Sequence, residues 1–208
     1  MRITNLSLSH KHAWEKLVAC APESGFMQSW NWSEFKAAQG QTVTRLGIFD
    51  GDELSGGALV YSVGSGLSPL HLPHGPVLPW KDPVKAGEGL ELLKLRLSEM
   101  AVKTGAPLAR LEPLLEGELP GCFEKLPRAP LDLVPTPTLL VDISGSDDEL
   151  LAAMSPKGRY NVRLAMRKGV TVEPAGAEGV EDFYGLFELT CGRHGFQGEP
   201  FSFFADLL

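Results

Sequence analysis

The 208-residue sequence is short of cysteine: Cys20, Cys122 and Cys191 are widely spaced, with no CxxC pair. An odd, scattered set builds neither a disulfide framework nor a zinc knuckle, so reduced structural thiols are expected. Positive charge is scarce too. Nineteen Lys and Arg stand against 26 Asp and Glu, a net charge of −7, whereas general nucleic-acid affinity comes from basic side chains meeting phosphates. DNA binding is therefore not expected, and any RNA contact must come from a local basic patch. No run approaches the roughly 20 apolar residues that span a bilayer. The opening MRITNLSLSHKHAWEK also lacks the apolar core of a signal peptide. The expectation is a soluble, cytoplasmic protein whose membrane contact, if any, is peripheral.

Familiar catalytic motifs are missing as well. There is no GxGxxG after a strand, no GxxxxGK[ST], no HExxH and no GxSxG. The five histidines do not pair at metal-ligand spacing. His71 and His74 flank Leu72-Pro73 in a non-helical stretch, where a surface or core role is the simpler reading. Gly64-Ser65-Gly66 reads as a hairpin turn rather than a phosphate cradle. No metal or cofactor is called for.

What is there is ordinary globular material, 43% hydrophobic and 22% charged. Residues 2–8 and 11–21 read as a short strand and a helix, the latter with Trp14, Leu17 and Val18 at helical spacing. A second helix is expected over 32–38, capped at Asn31 or Ser33. Strands at 43–49 and 57–63 are joined through Asp50-Gly51-Asp52, a hairpin signal. The proline-rich stretch 70–79 cannot be a central ladder strand throughout, because each proline removes a donor. A long helix over 83–104 carries the stripe Leu90, Leu93, Leu97, Met100 and Ala101 and ends at Gly105, with a strand at 108–111 after it. Four prolines between 127 and 137 mark a linker. Beyond it the pattern restarts: strand 138–143, helix 147–168, strand 170–173 and helix 180–194, then an apolar run, PFSFFADLL. The expected domains are 1–135, and 136–208 as the start of a second domain that is cut short.

Two constellations carry charge in a useful pattern. Arg159, Arg163 and Arg167 recur every four residues inside KGRYNVRLAMRK, forming one cationic stripe on a helix suited to phosphates. A solvated helix face that complements the dipole explains the same spacing. Trp32 and Lys36 lie one turn apart, where the lysine can meet an anionic substrate or simply sit beside a core tryptophan.

Several segments, in order, resemble the FemABX aminoacyltransferases. They are Gln28-Ser29-Trp30-Asn31-Trp32-Ser33-Glu34-Phe35-Lys36, Leu72-Pro73-His74-Gly75-Pro76-Val77 and Arg110-Leu111-Glu112-Pro113. Thr138-Leu139-Leu140-Val141-Asp142-Ile143 follows, then Lys157-Gly158-Arg159-Tyr160-Asn161-Val162-Arg163 with Lys168-Gly169-Val170. Phe183-Tyr184, Thr190, Arg193 and Gly195-Phe196 complete the set. The resemblance implies an α/β fold: tandem acetyltransferase (GNAT)-like mixed sheets flanked by helices, the second incomplete. It implies transfer of an amino acid from aminoacyl-tRNA to the stem-peptide amine of a peptidoglycan precursor, either UDP-MurNAc-pentapeptide or its lipid-linked form, lipid II. Lys36, beside Trp32, would meet the precursor's diphosphate. Arg159, Tyr160 and Arg163 would line the substrate groove or meet the tRNA acceptor end. Glu199 and Phe203-Phe204 depart from the basic residue and tyrosine expected there, which alters that segment's contacts. The fragment alone is expected to be inactive.

Aminolysis of an activated ester needs neither ATP nor metal, and it leaves the base that deprotonates the amine unassigned. Glu112 is one candidate, although a strand-end carboxylate is more often structural. Two rivals stand beside this reading. An acyl-CoA-dependent N-acyltransferase of the same superfamily would need a Gln/Arg-x-x-Gly-x-Gly/Ala loop, which is missing. A non-catalytic module would bind the precursor without turning it over.

Overall fold

A computed structural model describes residues 1–63, 68–131, 133–134, 139 and 141–207. The turn expected at 64–66 lies outside the described residues. The chain divides into two compact units, Met1–Thr136 and Pro137–Leu208.

In the first unit a mixed five-stranded sheet runs in the order β1 (Arg2–Asn5), β2 (Gln41–Asp50), β3 (Glu53–Val63), β4 (Leu70–Pro73), β5 (Ala109–Glu112). All neighbours are antiparallel except β4 and β5. A parallel pair needs a crossover, and α3 (Pro83–Thr104) supplies it. Its limits are locally encoded. Asp82 accepts hydrogen bonds from the Val84 and Lys85 N–H groups, Pro83 occupies the first turn, and Gly105 closes the helix at φ 75°. Leu93 and Leu97 pack with Leu46, Val60, Leu70 and Leu72 on one sheet face, each contributing about 2–3 kcal/mol on burial. The opposite face is covered by α1 (Lys11–Ala19) and α2 (Trp30–Ala38), whose Trp14 and Trp30 pack on Phe49, Leu59, Tyr61 and Val77.

The expected mixed sheet flanked by helices is therefore present in this unit. Two details differ from expectation. α2 starts earlier than residue 32, capped by Ser29, whose hydroxyl accepts from the Trp32 N–H at 3.2 Å. β3 begins at Glu53 rather than 57, because the two-residue turn Gly51-Asp52 leaves Asp50 opposite Glu53. As expected, the proline-rich stretch 70–79 gives a strand only in its first four residues, ending at Pro73.

The second unit holds α4 (Asp147–Ala153), α5 (Pro156–Arg167), α6 (Val180–His194) and α7 (Phe201–Leu207). The single helix expected over 147–168 is thus two. Pro156 has no N–H to continue the ladder and forces the preceding residue extended, and Ser155 sits at ψ 152° and caps α5 through its hydroxyl. The strands expected at 138–143 and 170–173 are not formed among the described residues. Val141, Ile143, Val170 and Val172 are exposed, and alternation alone makes no strand without a partner to pair with. The run PFSFFADLL contains α7, whose Phe204 ring lies 5.0 Å from that of Phe183 and 5.1 Å from that of Phe187 on α6.

Candidate functional site

The segment 26–36 builds the first wall of the site. Trp30 turns inward, its backbone N–H donating to Glu15 at 2.6 Å. The buried Ser33 hydroxyl donates to the Trp30 carbonyl and accepts from Arg45 Nε, while the Arg45 guanidinium lies 4.6 Å over the Trp30 ring. With that face of α2 fixed, Lys36 Nζ stands 5.6 Å from the centre of the Trp32 ring and 5.9 Å from that of Phe35. These are cation–π distances. Phe26, in the 3-10 turn before α2, meets Trp32 edge-on at 5.0 Å and His74 edge-on at 5.8 Å. Lys36, Trp32, Phe26 and His74 thus form one continuous surface.

Behind it lies a polar cluster that sequence reasoning did not assemble. His71 on β4 is the cross-strand partner of Tyr61, and the Tyr61 hydroxyl donates to the Met27 carbonyl at 2.7 Å. The parallel register sets His71 beside Arg110 and Pro73 beside Glu112. Glu112 is shared. One carboxylate oxygen pairs with His71 Nε2; the other accepts from Arg110 Nε at 2.8 Å and from the Leu133 N–H at 3.3 Å. The side chains keep only 24% (His71), 14% (Glu112) and 11% (Arg110) of their accessibility. Burial opposes ionisation of Glu112, yet the bonds from His71 and Arg110 prevail and hold its carboxyl below the usual carboxylate range.

Gln28 ties wall to sheet. It is fully buried; its amide donates to the carbonyls of Pro73 at 2.7 Å and Leu59 at 3.3 Å and accepts from the Leu59 N–H at 2.8 Å. β3 and β4 pair at Tyr61↔His71, and past that point the Gln28 amide stands where a peptide group of the ladder would. Pro73, with no N–H to offer, suits that arrangement.

His74 is unusual in two respects. It holds φ 54°, and its Nδ1 is buried without a hydrogen-bond partner among the described residues. Burial, aided by nearby His71 and opposed by Glu112, pushes the imidazole below its ordinary value of 6.5. The unfolded chain therefore takes up this proton first as pH falls. Stability is fully present above about pH 6.5 and declines below it until the folded group also protonates. His74→Asn, which tolerates the same backbone angle, should flatten the fall in unfolding free energy between pH 7 and 5, as measured by urea titration.

The remaining predicted residues lie in the second unit. Arg159, Tyr160 and Arg163 share α5, which carries no acidic side chain. The stripe is not what its spacing implies. The Arg159 guanidinium donates to the carbonyls of Ala152 at 2.8 Å and Met154, capping the end of α4, so Arg163 and Arg167 carry the open cationic face. Tyr160 is exposed. Among the described residues no group of three metal-ligating side chains occurs, and no helix is long and apolar enough to cross a membrane.

Residues 130–208 match the family model described as the FemAB family. Over 73 residues, 35% of this chain, the sequence is 37% identical to the lipid II:glycine glycyltransferase of Staphylococcus aureus, covering 17% of that protein. Its counterpart in strain USA300 matches equally. The crystal structure of FemX superposes on 99% of this chain with a TM-score of 0.77 and 22% identity, over 54% of its own length. The chain thus spans about half of the solved relative and matches a smaller share of the curated ones.

Proposed function

We propose that this chain, whose residues 130–208 match the FemAB family model, is part of an aminoacyltransferase of peptidoglycan cross-bridge synthesis. The donor is aminoacyl-tRNA and the acceptor is the stem-peptide amine of UDP-MurNAc-pentapeptide or lipid II. The second unit is the opening of a second acetyltransferase-like domain. The observation that carries the reading is the 37% identity to a lipid II:glycine glycyltransferase. The arrangement on α2 supports it, because Lys36 over Trp32 and Phe35 offers an oriented cation for the acceptor's diphosphate. Arg163 and Tyr160 on α5 contact substrate, and Arg159 supports them by holding the α4–α5 corner.

Both substrates meet the needs of aminolysis. The ester is already activated, so the enzyme contributes mainly orientation, worth about 7–11 kcal/mol when geometry is good. Full-length protein incubated with charged tRNAs and both precursors should yield the aminoacylated precursor, detected by mass spectrometry. Product with none of them would refute an enzymatic role, and precursor binding without transfer would leave a binding module. Lys36→Ala should weaken precursor binding about tenfold, as expected for one charge-assisted contact, with the melting temperature unmoved. Unchanged affinity by calorimetry would remove Lys36 from the site.

A further inference from the structure

We propose that His71 is the general base of the transfer, oriented by Glu112, which Arg110 in turn holds. The assignment rests on the aminoacyl-transfer reading above. Three observations converge on it. Glu112 occupies one ring nitrogen, Nε2, and is itself fixed through its second oxygen by Arg110. A base whose partner is immobilised keeps one tautomer, with the opposite nitrogen, Nδ1, carrying the lone pair. Next, Nδ1 has no hydrogen-bond partner among the described residues and, unlike that of His74, is not a buried orphan. Finally, His71 emerges beside Tyr61, whose hydroxyl is bonded to the turn that carries Phe26, and so beside the wall ending in Lys36. An acceptor anchored by its diphosphate at Lys36 would run along this wall toward the imidazole.

The groups facing His71 are Glu112 and Arg110 from β5, Tyr61 from β3 and His74 at the end of β4. Burial raises the Tyr61 hydroxyl far above its ordinary value, with Arg45 opposing, so it stays protonated. Arg110 is spent on Glu112, and His74 is packed against Phe26. That leaves His71 to take the proton. In the step, the acceptor amine attacks the ester carbonyl carbon of the donor while Nδ1 removes a proton from the amine nitrogen. The imidazolium so formed is paired with the Glu112 carboxylate. The new C–N bond persists, the bond from the carbonyl carbon to the ribose oxygen breaks, and the proton returns from Nδ1 to that oxygen. Atoms and charge balance without a further reactant.

Single-turnover transfer by the full-length protein tests this. His71→Gln should slow transfer by about 10²–10⁴-fold, the range for losing a general base, with precursor affinity and melting temperature retained. The acid limb of the unaltered enzyme's pH–rate profile should vanish, and added imidazole should restore part of the rate to His71→Ala. Glu112→Gln should give a smaller loss and move the limb. Transfer undiminished in His71→Gln would overturn the assignment while leaving the enzymatic reading intact, as would a slowed reaction that keeps its acid limb. Failure of the unaltered protein to transfer would overturn both. Should neither His71 variant fold, diethyl pyrocarbonate decides with the unaltered protein. Modification at His71 that stops transfer and is blocked by precursor supports the assignment; transfer continuing with His71 modified refutes it.

Discussion

Replacing Gly57 with alanine should destabilise the first unit by about 3 kcal/mol or more, the scale of strain plus overpacking at one site. Gly57 holds φ 149°, a region rarely open to a residue with a Cβ. The space is closed as well. An added Cβ would overlap the backbone carbonyl oxygen of Leu46 and lie 2.9 Å from the Trp14 ring and 3.1 Å from the Gly47 Cα. None of these can step aside cheaply. Gly57 faces Gly47 in the β2–β3 ladder and exchanges two hydrogen bonds with Val77, of 2.8 and 2.9 Å, so its backbone is clamped on both sides. Gly40 is the control: it also has a positive φ, of 83°, but nothing lies within 4 Å of its added Cβ. Gly40→Ala should cost only about 1–2 kcal/mol, the backbone term alone. Urea unfolding of the two variants measures the difference, and similar losses would refute the steric account.

Gln28→Leu should be as damaging, by about 4 kcal/mol, through a different cause. Leucine keeps the volume but removes every polar atom of the inserted amide. The Leu59 N–H and the Leu59 and Pro73 carbonyls would then be buried without partners, each costing roughly 1–3 kcal/mol. Gln28→Glu should not rescue, because a carboxylate cannot donate to the two carbonyls and its charge would be buried unpaired. A melting temperature within a few degrees of the parent for either variant would show that water replaces the amide.

The sequence is most legible where the signal is local. α3 begins at Asp82-Pro83 and ends at Gly105, and its bounds follow from those residues and the leucine stripe. The Trp32–Lys36 pair is legible for the same reason, since helical spacing alone brings the two together. Pro156 is an equally local signal, and it overrides the helical periodicity that runs through it. The strands expected at 138–143 and 170–173 depend instead on a partner, which alternation cannot supply. The polar cluster shows the same limit. His71 and Glu112 are 41 residues apart and meet only through a parallel register that no short-range pattern encodes. Gln28 stands inside a motif whose resemblance is readable, yet its burial is not, because a glutamine in isolation reads as a surface residue. Arg159 was legible as a cation but not as a cap, since its carbonyl partners appear only once Pro156 has broken the helix.

The inserted amide also sets a tempo. Phe26 belongs to a short turn that, on its own, would rearrange on the nanosecond-to-microsecond scale of surface loops. Gln28 ends that turn with its side chain wedged between two strands, and its carbonyl accepts from the indole of the buried Trp14 at 2.7 Å. The turn therefore cannot shift its aromatic ring far without withdrawing a side chain from the middle of the sheet. Movement of this wall becomes a sub-global opening, as rare as breathing of the core, and the surface is set before anything touches it.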